Sequence, residues 1–168
     1  MHAKTIGRWA GIAWLAVAFV VANTTSPFAV GPAAATDAVS NAKAVSVAYQ
    51  NQAQAYLDRF YAFTLSSASL GGARARVQVS MNGTTFWAKP TSVKDRTYRA
   101  TLFEDGPAGS EGDVIEFKKE NVLDWSFQGR NKLYYGEFQR RAEMALLSRE
   151  EAANLGVMLT ASAVPPGW

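Results

Sequence analysis

Any catalysis by this chain would rest on its carboxylates. There is no cysteine, and the single histidine is His2 at the extreme N-terminus. A thiolate nucleophile is excluded, and no imidazole base is present in the body of the chain. Zinc and copper sites nearly always draw on His or Cys, so no such metal is expected and no cofactor is implied. Two Asp or Glu residues do suffice for glycoside cleavage when they face each other across a cleft. Asp113, Asp124 and Glu137 are the least arbitrary candidates, although nothing in their spacing demands that chemistry.

Asp124 stands directly before Trp125 in the stretch "VLDWSF". Strand alternation puts Leu123, Trp125 and Phe127 on one face and Asp124 and Ser126 on the other. Trp125 then belongs to the core, and Asp124 is expected to face outward. It would serve as a structural corner, bonded to the turn at Gly129–Asn131 or paired with Arg130 or Lys132. The alternative is an acid that faces a ligand. Binding chemistry has a second set of candidates in the aromatic and arginine residues. Trp87, Tyr134, Arg140 and Arg141, with Asp124, are the residues to examine for a binding surface. An aromatic beside an arginine suits a peptide, glycan or other acidic partner, though arginine and tyrosine are also ordinary on a solvated face.

These residues need a scaffold, and the chain supplies one after an atypical start. Met1–Arg8 holds Lys4 and Arg8 and no acid, Trp9–Ala22 is apolar, and small residues lead to Ala33–Ala35. This is the three-part pattern of a secretory signal peptide over residues 1–35. The apolar run is shorter than the roughly 20 residues of a membrane span, so a retained anchor is the less favoured reading. Cleavage after Ala35 places Ala33 and Ala35 in the small-residue positions; cleavage after Ala22 places Val20 and Ala22 there. The exported chain would be periplasmic or secreted and free of the membrane. Removing Lys4 and Arg8 changes 17 basic against 14 acidic residues into 15 against 14, or +1. With that balance and no basic run, a nucleic-acid partner is not expected.

The remainder reads as one domain over residues 37–156, with 157–168 as a tail. Ala42, Val45, Tyr49, Ala53, Tyr56, Leu57 and Phe60 fall at helical spacing, predicting a helix over Asp37–Phe63 capped by Asp37 or Ser40. "ARARVQVSM" alternates strictly, and Asn82-Gly83 follows as a hairpin turn. A two-residue loop pairs Met81 with Thr84, Val79 with Phe86 and Val77 with Ala88. Trp87 then lands on the polar face opposite Gln78, either covered by another element or free as a platform. Pro90 is expected to stop that second strand. Further strands are predicted over 96–103, 114–117 and 122–127. "KLYYGEFQRRAEMALL" fits a long strand better than a helix, because its apolar spacing is irregular and Gly136 interrupts it. Ser148 and Glu151 form a capping box for a short helix ending at Gly156.

The order of "FWAKPTSV", "YRATLF", Gly112-Asp113 before "VIEF", "VLDWSF", "KLYYGEFQRR" and "SREE" resembles the YegJ/DUF2314 family of small bacterial domains. The likeness spans about residues 53–156, and it rests on the co-occurrence of short motifs. The resemblance implies a compact, mostly antiparallel domain with a flanking helix, and it supplies no established activity or catalytic residues. The expected fold is α+β: an N-terminal helix packed on a mostly antiparallel, strongly curved or barrel-like sheet, with a short C-terminal helix. The expected function is a non-catalytic binding module, with a carboxylate-dependent hydrolase of cell-wall or glycan material as the alternative.

Overall fold

A computed structural model describes residues 32–66, 74–156 and 158–168. The leader and its cleavage after Ala22 therefore lie outside the described residues; cleavage after Ala35 would fall within the first helix. Pro32–Trp168 forms one compact unit. Its described residues are α+β, with four α-helices and a six-stranded antiparallel sheet.

The predicted N-terminal helix is two helices, α1 (Pro32–Ala55) and α2 (Leu57–Ser66), and it begins before Asp37. The apolar stripe divides accordingly. Ala53, Leu57 and Phe60 are fully buried, whereas Ala42, Val45 and Tyr49 are half-buried along the earlier part of α1. Gln54 is half-buried and donates to the backbone oxygen of Val122 at 3.0 Å.

The strands are β1 (Arg76–Met81), β2 (Thr84–Lys94), β3 (Thr97–Leu102), β4 (Val114–Phe117), β5 (Val122–Gln128) and β6 (Tyr134–Gly136), in the spatial order β4-β3-β2-β1-β5-β6. The sheet is open, not barrel-like as expected: β4 and β6 are its two ends. The hairpin register is the one that the sequence predicts, with Met81 opposite Thr84, Val79 opposite Phe86 and Gln78 opposite Trp87. Asn82 and Gly83 both have positive φ, which is why that dipeptide turns the chain. Pro90 does not stop β2. It pairs with Ala100 beyond the last residue that β1 reaches, next to a bulge, where a missing N–H takes no bond from a second neighbour.

One sheet face carries Val77, Val79, Ala88, Tyr98, Ala100, Leu102, Trp125 and Phe127, all buried under α2 and the end of α1. Phe60 stacks on Trp125 at 4.9 Å between ring centroids, and the Trp125 indole donates to the Ala53 oxygen at 2.8 Å. The opposite face is only partly covered.

After β6 the structure departs from the long strand expected over 132–147. Gly136 and Glu137 both take left-handed backbone angles, and α3 (Phe138–Met144) starts at once. The capping box at Ser148 then opens α4 (Arg149–Leu155), with Gly156 at its end as predicted. Residues 158–163, part of the segment read as a tail, run beside β6, with Tyr134 N–H donating to Met158 and Gly136 N–H donating to Ala163.

Candidate functional site

The corner between β5 and α3 is built around Asp124, Trp125, Gly136 and Glu137. Gly136 approaches Trp125 so closely that a Cβ there would lie 1.9 Å from the Trp125 carbonyl oxygen. Glu137 takes the position before the first turn of α3 but gives it no side-chain cap. Asp124 supplies the cap from another strand. Its carboxylate accepts the backbone N–H of Trp125 at 2.7 Å, Phe138 at 2.9 Å and Gln139 at 3.0 Å. This satisfies N–H groups that a helix start leaves without an intrahelical partner.

Asp124 is therefore buried, at 1% exposure, rather than outward-facing as the alternation suggested. Both faces of β5 are enclosed, because its polar side meets α3. It accepts hydrogen bonds as the corner reading expected, but from Trp125 in β5 and from Phe138 and Gln139 in α3, not from the turn at Gly129–Asn131, Arg130 or Lys132. Burial pushes the Asp124 carboxyl up to about 7, and Glu137 nearby adds to the rise, against the opposing pull of the Gln139, Phe138 and Trp125 N–H groups.

Arg141 is part of the same corner. Its guanidinium donates to the backbone oxygens of Gly136 at 2.8 Å and Thr160 at 3.0 Å, pinning the 158–163 segment. Burial lowers its pKa, opposed by Tyr49, Asp124 and Glu137. Arg140 is half-exposed on α3 and lines none of the cavities described below.

The other two sequence candidates meet on the partly open sheet face. Trp87 and Tyr134 line a cleft of about 280 Å³ with Arg74, Ala75, Arg76 and Phe103. The Arg76 guanidinium lies 4.3 Å above the Trp87 ring centroid and bonds Glu137 at 2.8 Å. Arg74 is held by the side-chain oxygen of Gln128. Beside the cleft, Gln78 and Ser126 are fully buried and their side-chain polar atoms have no hydrogen-bond partner; Arg76 Nε is likewise buried and unpartnered. Buried polar groups are paired in the large majority of cases, so this cluster is unusual.

The sequence reading singled out neither arginine of the cleft, nor Phe103. The alternation of Arg74 and Arg76 with apolar residues was the available signal, but it does not say which strands flank β1. Two further cavities exist: about 390 Å³ lined by Phe63, Phe127, Tyr135 and Pro165 with Arg130 and Asn131, and about 300 Å³ between α3, α4 and Leu159–Ala161. None of the three is lined by Asp113, Asp124 or Glu137. Among the described residues, no group of three or more Asp, Glu or His could hold a metal, and no helix is long and apolar enough to cross a membrane. In comparisons with known proteins the chain matches no family model, no curated protein and no solved structure.

Proposed function

We propose that this chain is a non-catalytic binding module that engages its ligand at the Trp87 cleft. The observation that carries this reading is the convergence of Arg74, Arg76, Trp87, Phe103 and Tyr134 around one cavity on the open face of the sheet. Aromatics and arginines dominate the energetics of binding surfaces. The leader pattern supports an exported protein acting in the periplasm or outside the cell. The motif order supports kinship with the YegJ/DUF2314 domains. Intact mass of secreted material tests export: a mass equal to the full chain defeats the signal-peptide reading.

The binding reading is tested by presenting the purified chain and its Trp87→Ala variant to peptide and glycan arrays, with thermal melts alongside. Trp87 is only partly buried, so the variant should keep the wild-type fold. Ligands retained by the wild type should be lost by the variant. Equal retention by both would move the site away from the cleft.

A further inference from the structure

We infer that the cleft takes an acidic peptide segment, an Asp or Glu side chain beside an apolar one; this rests on the binding-module reading above. The argument starts from the charges of the open face. Arg74, Arg76, Lys89 and Arg99 stand there with Glu116 and Glu137. Both carboxylates are engaged, Glu137 with Arg76 at 2.8 Å and Glu116 with Arg99 at 2.5 Å. Among the described residues, Arg74 and Lys89 have no carboxylate within ion-pair distance. Arg74 is positioned by a neutral amide, so its charge is uncompensated and it has N–H donors to spare. Among the described residues, no carboxylate of the acidic loop beyond Phe103 lies within ion-pair distance of Arg74 or Lys89. Asp105 and Asp113 are bonded to their own loop, each at 2.8 Å from the N–H of Glu111 and Ser110 respectively.

The lining also discriminates among anions. It holds no carboxylate and no side-chain amide, groups that commonly bond sugar hydroxyls, and its neutral polar groups are the Tyr134 hydroxyl and the Trp87 indole N–H. One face of the Trp87 ring is already covered by Arg76, which removes a stacking surface for a sugar. An apolar shelf adjoins the cations instead. Phe103 is 47% exposed and Val114 is 59% exposed, and they share the open face, because Val114 pairs with Thr101 two residues before Phe103. A guanidinium lacking a counter-charge next to an aliphatic and aromatic shelf complements a carboxylate next to an apolar side chain.

Fluorescence anisotropy with three labelled probes tests this: a peptide of alternating Glu and Leu, the same peptide with Gln for each Glu, and an oligomer of galacturonic acid. The Glu–Leu peptide should bind saturably and more weakly as salt is raised. The Gln–Leu peptide should bind about tenfold more weakly or worse, and Arg74→Gln should cost the Glu–Leu peptide about the same factor. Phe103→Ser should weaken it by a smaller factor. Equal binding of the two peptides, or an unchanged Arg74→Gln, overturns the acidic ligand. Binding of the galacturonic acid oligomer alone, in an Arg74-dependent way, overturns the peptide but leaves the cleft as the site. Glu–Leu binding that survives Arg74→Gln, Trp87→Ala and Phe103→Ser together overturns the cleft itself. Failure of all three probes to bind overturns the inference.

Discussion

The β5–α3 corner and the Trp87 cleft lie close together in the sheet, yet they are built on opposite terms. At the corner every polar group of Asp124 has a backbone partner, and Gly136 and Trp125 touch without spare room. Around the cleft, Gln78, Ser126 and Arg76 keep buried polar atoms with nothing to bond. The corner pairs its buried polar atoms, and the surroundings of the cleft leave several unpaired. Arg76 and Glu137 join the two, since Glu137 begins α3 while its carboxylate holds the guanidinium over Trp87.

Substitutions at the corner should test this contrast most severely. Gly136→Ala would force a methyl group into the Trp125 carbonyl at a backbone φ of 77° that L-residues avoid. Neither neighbour is a flexible side-chain end, so the loss should exceed about 4 kcal/mol, a rare size for one substitution. The variant should fail to accumulate, or melt without cooperativity. Trp125→Ala follows at about 3–5 kcal/mol, the usual range for a buried large aromatic. Near-native chemical denaturation of either variant would mean that the corner is not the structural element argued here.

Asp124→Asn is gentler. The amide keeps one acceptor and turns a donor toward an N–H, so the cost at neutral pH should be about 1–3 kcal/mol. Its pH dependence is the sharper test. The folded-state pKa lies above the ordinary 3.8, near 7, so the folded protein holds this proton more tightly than the unfolded chain does. The resulting stabilisation is fully present below about 4 and is lost as pH rises through about 7. Wild-type stability should therefore fall across that window through this group, whereas Asp124→Asn should be flatter and the gap between them should narrow with rising pH. A gap that widens from acid to alkaline pH would reverse the assignment.

How much of this was legible in the sequence depended on the range of the interaction. The Asn82-Gly83 hairpin was readable to the residue because turn chemistry is local, and so was the Ser148–Glu151 box. Pro90 misled, because its tolerance depends on where β1 ends. The α3 start was hidden more deeply: its capping carboxylate comes from Asp124 in another strand, so the local sequence around Gly136 carries no ordinary helix signal. The same holds for the cleft. Trp87 and Tyr134 stood out as residue types, but Phe103 and the two arginines join them only once the order β3-β2-β1-β5-β6 is known.

The smallest expected effect separates the two regions most cleanly. Gln78 is completely buried, faces Trp87 on one side and Asp124 on the other, and bonds through neither its amide nitrogen nor its oxygen. If that amide served stability, replacing it with leucine would remove useful bonds and cost at least about 1 kcal/mol each. With no bonds to lose, Gln78→Leu keeps a similar volume and ends the penalty of burying two unpaired polar atoms. Its melting temperature should match or exceed that of the wild type. A drop in stability as large as that of Asp124→Asn would show that the amide is tied to partners through ordered water. Gln78 would then belong with the satisfied corner rather than with the cleft.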